Sequence, residues 1–131
     1  HVMALNHAAV MEDFLRVTTS VRSVSREIGV KVIVESAALM ANVDAATGEA
    51  RVALACEAAA EAGCDFVQTS TGFHPAGGAT IQAVKLLKKH APNLKVKASG
   101  GIETRDDALA LLDAGANRLG VEVGALGMLV C

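Results

Sequence analysis

Tryptophan and tyrosine are absent from the 131 residues, and three phenylalanines are the whole aromatic complement. With 52% of the chain hydrophobic, the core must be aliphatic, built from Ala, Val, Leu and Ile. That mixture suits helices packed on a buried parallel sheet better than a β-sandwich. An excess of charge of one sign is missing too. Lys and Arg number 12 against 14 Asp and Glu, giving a net charge of −2 and a pI of about 6.1. This leaves no general electrostatic reason to bind nucleic acid or an anionic membrane. The one dense basic run, with Lys85, Lys88 and Lys89, reads as the solvated face of a helix. No apolar run reaches the ~18 residues of a membrane span, and no secretory signal peptide is visible. The three cysteines, Cys56, Cys64 and Cys131, are odd in number and lack metal spacing. Reduced thiols in a cytoplasmic protein are expected, rather than a disulfide framework or a zinc site. The length allows one domain at most, over 1–131. The chain opens on His1 rather than Met and stops at Cys131 inside an apolar run, so part of a longer polypeptide is expected.

What is present is one unit repeated. An apolar strand, Val2 to Leu5, leads to a helical segment from about Met11 to Ile28. Val30 to Val34 reads as a strand, and Ala50 to Ala62 as an Ala-rich helix ended by Gly63. Asp65 to Val67 is a further strand, followed by a helix near Thr80 to His90 that Pro92 stops. Leu94 to Ala98 is the next strand. Its helix runs from roughly Arg105 to Asp113, with Thr104 as N-cap, Asp106 and Asp107 in the first turn and Gly115 after the end. A last strand spans Asn117 to Val121. Five strands alternating with four helices imply successive right-handed βαβ units. Either a doubly wound sheet or part of a (β/α)8 barrel fits, and both place ligands at the carboxyl ends of the strands. There the polar clusters recur: Asn6-His7, Glu35-Ser36, Gln68 to Thr71, Lys97 to Ser99, and Glu122.

The runs T-S-T-G-F (Thr69 to Phe73), G-G-A-T (Gly77 to Thr80) and K-A-S-G-G-I (Lys97 to Ile102) decide between the two. In combination the chain resembles the 2-deoxyribose-5-phosphate aldolase family, class I aldolases with a parallel (β/α)8 barrel. The resemblance runs from Val2 through Gly124 and corresponds to the family's fourth through eighth strands, about the C-terminal five. A complete barrel typically needs ~200 residues or more. The family's Schiff-base lysine precedes T-S-T-G, and that position is Gln68 here. An amide nitrogen shares its lone pair with the carbonyl and cannot form an imine. The family's second lysine is present as Lys97. Its proton-relay aspartate falls on Val2. Where the family holds the substrate phosphate with Ser or Thr after a glycine, this chain has Glu122, whose carboxylate repels a phosphate. The glycines and the amphipathic pattern are retained, so the site reads as remodelled rather than decayed.

Lys97 is the leading chemical group. If strand alternation holds, Lys95, Lys97 and Ser99 share one face. A lysine in a dry barrel mouth can act as nucleophile or general base; the plainer role is an ion pair with Glu35 or Glu122. Glu122 serves as proton donor and acceptor or as that partner. Glu35, where the family also has Glu, fits ion pairing better than catalysis. Gln68 hydrogen-bonds a substrate oxygen or caps Lys97. Asn6, His7 and His74 lie after strands, where they are expected to face the pocket. The histidine spacing carries no metal signature, so neither metal nor cofactor is expected. Thr69, Ser70, Thr71 and Gly72 form a polar rim, and Ser99, Gly100 and Gly101 a Gly-rich turn able to cradle an anion, though a tight turn alone also needs Gly. The expectation is an enzyme acting through Lys97 on a small carbonyl or sugar-like substrate, with ordinary deoxyribose-phosphate cleavage weak or absent. The other class is a non-catalytic binding or scaffold subunit. Five strands alone would leave unpaired edges and a bare apolar inner face, so the remainder of a barrel or a homo-oligomer is expected to cover them.

Overall fold

A computed structural model describes residues 6–125 and 127. The expected strand over Val2 to Leu5, the Val2 that stands for the family aspartate, and Cys131 lie outside the described residues. The elements in chain order are α1 (His7–Val24), β1 (Lys31–Ile33), α2 (Ser36–Met40), α3 (Ala45–Glu61), β2 (Phe66–Gln68), α4 (Ile81–His90), β3 (Lys95–Ser99), α5 (Arg105–Asp113) and β4 (Arg118–Gly120). A 3₁₀ turn over Val123–Ala125 follows.

The helix starts follow local capping chemistry. Thr104 accepts from the Asp107 amide while the Asp107 carboxylate accepts from the Thr104 amide, a reciprocal box that opens α5 at the expected residue. Thr80 opens α4 in the same way, accepting from Ala83 N at 3.0 Å. Two starts come earlier than expected. Asp44 accepts from Thr47 N and Thr47 Oγ1, so α3 begins five residues before Ala50. Asn6 accepts from Ala8 N, so α1 begins at His7 rather than near Met11. It also ends at Val24 rather than Ile28, because Ser25 is extended (φ −159°). The short α2 was not anticipated. Glu35 enters it in the left-handed region (φ 51°), with no side-chain cap to mark it in the sequence.

All neighbouring strands are parallel, in the order β1-β2-β3-β4. This is the sheet of a partial (β/α) barrel, with four strands among the described residues. Register places Val32 beside Val67 and Val67 beside Val96. Val67, Val96 and Ala98 are fully buried and join Val52, Cys56, Val84 and Leu87 from α3 and α4 in one aliphatic core. Each valine or leucine among them contributes roughly 1.5–3 kcal/mol by leaving water. Asp65, just before β2, ties this layer to α1. Its Oδ2 accepts from Arg22 Nη2 at 2.6 Å and from Val30 N at 2.7 Å.

The opposite sheet face departs from expectation: it is cationic rather than apolar. Alternation puts Lys31 and Ile33, Phe66 and Gln68, Lys95, Lys97 and Ser99, and Arg118 on it. Phe66 is its aromatic centre, with the Arg118 guanidinium 4.5 Å and Lys95 Nζ 5.7 Å from the ring centroid. Lys31 is held below the ordinary lysine range by desolvation first, then by the amine of Lys97 beside it and by the charge of Arg118.

Candidate active site

Lys97 is half-buried near the carboxyl end of β3, and its register neighbours are Gln68 on β2 and Arg118 on β4. Above it opens a cavity of about 490 Å³ at the strand ends. One wall is the loop after β2, with Thr71, Gly72 and Phe73; the floor is Lys97, Ser99, Gly100 and Gly101. Glu103, Gly120, Val121 and Glu122 close the far side. Gly120 lies close against both polar side chains of the floor. A Cβ there would lie 2.5 Å from Ser99 Oγ and 3.0 Å from Lys97 Cε, so a larger residue would displace these side chains.

The rim is made by backbone packed on backbone. A Cβ on Gly78 would sit 2.3 Å from the Gly100 carbonyl oxygen, and one on Gly100 would sit 2.8 Å from Gly72 Cα. The Ala79 amide donates to Gly100 O at 3.0 Å, pinning the loop after β2 to the turn after β3. That turn needs its glycines, since Gly100 and Gly101 have φ of 94° and 71°.

Of the residues singled out in the sequence, Lys97, Glu122, Thr71, Gly72, Ser99, Gly100 and Gly101 come together around this cavity. The others do not. Thr69 and Ser70 are fully buried and spend their hydroxyls on strand ends: both donate to Ser99 O, and Thr69 Oγ1 accepts from Ser99 N at 3.1 Å. Glu35 reaches across to accept from Thr71 N at 3.1 Å, holding the loop. No ion pair joins Lys97 to Glu35 or Glu122. His7 does not face the cavity. It is the first residue of α1, with Nε2 3.6 Å from Glu61 at the end of α3, which lies at the amino end of β2. Asn6 is spent capping the same helix. His74 turns back on its own loop, where Nδ1 accepts from Ala76 N at 3.1 Å. The loop positions were legible, but side-chain direction was set by local turns.

Gln68 is 4% exposed. Its Nε2 donates to Ser70 O at 2.7 Å, while its Oε1 is buried without a partner. A buried acceptor left unpaired costs about 1–3 kcal/mol, so this carbonyl is primed for a donor. Among the described residues no group of three or more His, Cys, Asp or Glu is arranged to hold a metal, and no helix is long and apolar enough to cross a membrane. Four features escaped the sequence: Glu103, Phe73, Gly120 and Lys31. Phe73 closes the quoted T-S-T-G-F run and Glu103 directly follows the quoted K-A-S-G-G-I run, which was signal enough to place them at the rim.

A parallel sheet clad by helices on one face, with a cavity at the carboxyl ends of its strands, defines part of a (β/α) barrel. Residues 11–130 match the family model described as DeoC/LacD family aldolase. The chain belongs to that family. It is 50% identical over 118 residues to a deoxyribose-phosphate aldolase of Mycobacterium avium, covering 87% of this chain and 51% of that one. A Mycobacterium tuberculosis deoxyribose-phosphate aldolase is 53% identical over 103 residues, covering 78% and 44%. Among solved structures, deoxyribose phosphate aldolase from Aeropyrum pernix, described as having a unique tetrameric structure, superposes with a TM-score of 0.79 at 29% identity. That match covers 97% of this chain and 50% of the other. An aldolase named QR15 gives a TM-score of 0.70 at 36% identity over 87% of this chain and 46% of its own. The chain therefore spans about half the length of the curated relatives it matches.

Proposed function

We propose that this chain supplies the lysine-bearing part of an aldolase-family barrel, corresponding to the family's fourth through eighth strands, and acts on a small carbonyl compound through Lys97. The observation that carries this is the cavity at the strand ends, with Lys97 in its floor and Glu122 in its wall. In the proposed step the Lys97 amine attacks the carbonyl carbon to give a carbinolamine. The Glu122 carboxylate takes each proton that the nitrogen sheds and hands it to the former carbonyl oxygen, which leaves as water, and the imine remains. Glu122 suits this better than Glu35, whose carboxylate is engaged by the Thr71 amide. Gln68 would act as a positioning residue, offering its unpartnered carbonyl to the Lys97 amine beside it in register. Because Gln68 stands where the family's imine-forming lysine stands, retro-aldol cleavage of deoxyribose 5-phosphate is expected several orders of magnitude below that of a typical member.

The outer strands β1 and β4 would pair with the rest of a barrel, from the same polypeptide or another copy, in a cytoplasmic assembly. Charge supports closure by acidic surface, because Lys31, Lys95, Lys97 and Arg118 share the sheet face opposite the packed core.

Borohydride reduction with a panel of small aldehydes, followed by peptide mass mapping, tests the chemistry. A mass gain on Lys97, lost in Lys97→Met, is the expected result. A blank with every aldehyde would favour the second reading, a non-catalytic binding subunit, which the replacement of the usual nucleophile by Gln68 supports.

A further inference from the structure

Resting on that assignment of the cavity, we infer that Glu35 is a positioning residue for substrate binding. Its carboxylate sets the wall formed by Thr71, Gly72 and Phe73, and it takes no part in the proton transfers. The backbone gives the first sign. Glu35 lies at φ 51° and ψ 54°, in the left-handed region, where a residue other than Gly, Asn or Asp is strained. Through this turn Ser36 N donates to Thr69 O at 2.8 Å, next to the 3.0 Å bond from Val34 N to Gln68 O, so β1 and β2 stay joined past their last strand residues. Glycine would make the same turn without strain. What glycine would lose is the carboxylate.

That carboxylate has one use among the described residues. It joins no ion pair, and it accepts from Thr71 N through Oε2 at 3.1 Å and Oε1 at 3.3 Å. For the wall the bond matters more than for Glu35. Thr71, Gly72 and Phe73 make no other hydrogen bond to a described residue outside their own segment; the remaining one, from Phe73 N to Thr71 Oγ1 at 3.2 Å, lies within it.

The loop is thus held from two sides. Glu35, after β1, ties its start, and the bond from Ala79 N to Gly100 O ties its end to the turn after β3. Phe73 lies between the two anchors, lines the cavity and is 90% exposed, so little packing fixes its ring. Releasing the Glu35 end lets the wall shift, whereas Lys97 on β3 and Glu122 after β4 are carried by other elements and keep their places. The signature is therefore weaker substrate binding with the chemical step preserved. Glutamine separates this role from proton transfer, because its amide oxygen still accepts from the Thr71 amide but carries no transferable carboxyl proton.

The test uses the full chain with 2-deoxyribose, read two ways: binding by the amide chemical shifts of Thr71 to Phe73, and the concentration dependence of borohydride trapping on Lys97. Glu35→Ala should displace those amides and raise both the dissociation constant and the half-saturating concentration roughly fivefold, the scale of one lost hydrogen bond. Its maximal trapping rate should stay within about twofold of wild type, and Glu35→Gln should restore the binding. Asp44→Ala, which removes the cap of α3 away from the cavity, controls for stability and should lower the urea midpoint without moving either constant. Unmoved Thr71 to Phe73 amides in Glu35→Ala, a fall in maximal rate that Glu35→Gln leaves unrestored, an equal weakening in Asp44→Ala, or no binding by the wild type would overturn the inference. Binding that weakens as expected, without any trapped adduct in the wild type, would remove the imine chemistry and leave the positioning role standing. Trapping on Lys97 that is indifferent to Glu35→Ala would do the reverse.

Discussion

Substituting Gly78 by Ala adds one methyl group at the point where the pocket rim is tightest. The new Cβ would lie 2.3 Å from Gly100 O, 2.5 Å from Gly100 C and 3.1 Å from Gly100 Cα, and real Cβ contacts essentially never fall below 3.0 Å. What it meets is backbone rather than the end of a flexible side chain, so relief requires moving the loop after β2 away from the turn after β3. That movement stretches the 3.0 Å bond from Ala79 N to Gly100 O. Overpacking ordinarily costs about 1–3 kcal/mol, and a backbone obstacle with a hydrogen bond at stake belongs at the upper end. A loss near 3 kcal/mol corresponds to roughly 10 °C in Tm for a domain of this size. The assay is urea unfolding followed by circular dichroism, with Gly63→Ala as a control. Gly63 has open space around it but φ of +77°, so its cost comes from local strain alone. Gly78→Ala should lose more stability than Gly63→Ala and should displace the amide resonances of Gly100 and Gly101. A change within 0.5 kcal/mol of wild type, roughly the spread of neutral surface substitutions, would refute the close approach that shapes the rim.

Two further outcomes are expected. Asp65 is held below the ordinary carboxylate range, mainly by the Val30 amide and then by Arg22, so it stabilises the fold above its unfolded pKa of about 3.9. Asp65→Asn should therefore cost about 1 kcal/mol at pH 7, screened because the side chain is 41% exposed. The difference from wild type should fade as pH drops through the folded-state value; a difference that persists or grows in acid would contradict it. The Cys56 thiol is pushed up to about 12 by burial and by the charge of Glu57, and its side chain is wholly enclosed. Alkylation by iodoacetamide at pH 8 should accordingly be at least a hundredfold slower in the native protein than in urea; comparable rates would show that the α3 packing opens freely.

The helix α5 was legible to the residue because its signals are local: a threonine cap, two aspartates in the first turn, and Gly115 with φ of 113° after the last turn. Lys97 was legible because alternation along one strand needs no knowledge of its neighbours. The start of α1 was misplaced because Asn6 and His7 carry polar side chains that look like site residues, whereas one caps the helix and the other pairs with Glu61. The cationic sheet face was missed for a different reason. The sequence separates Lys31, Phe66, Lys95 and Arg118 widely, and only parallel register assembles them around one ring. Thr69 and Ser70 were placed at the rim by their position after β2, but the approach of β3 buries both.

The most direct measurement is peptide mapping after borohydride reduction with 2-deoxyribose. A secondary amine formed at Lys97 and at no other lysine, and lost in Lys97→Met, is the predicted result. Labelling that settles on Lys31 or Lys95 instead, or labelling that survives Lys97→Met, would contradict the assignment of the reactive amine.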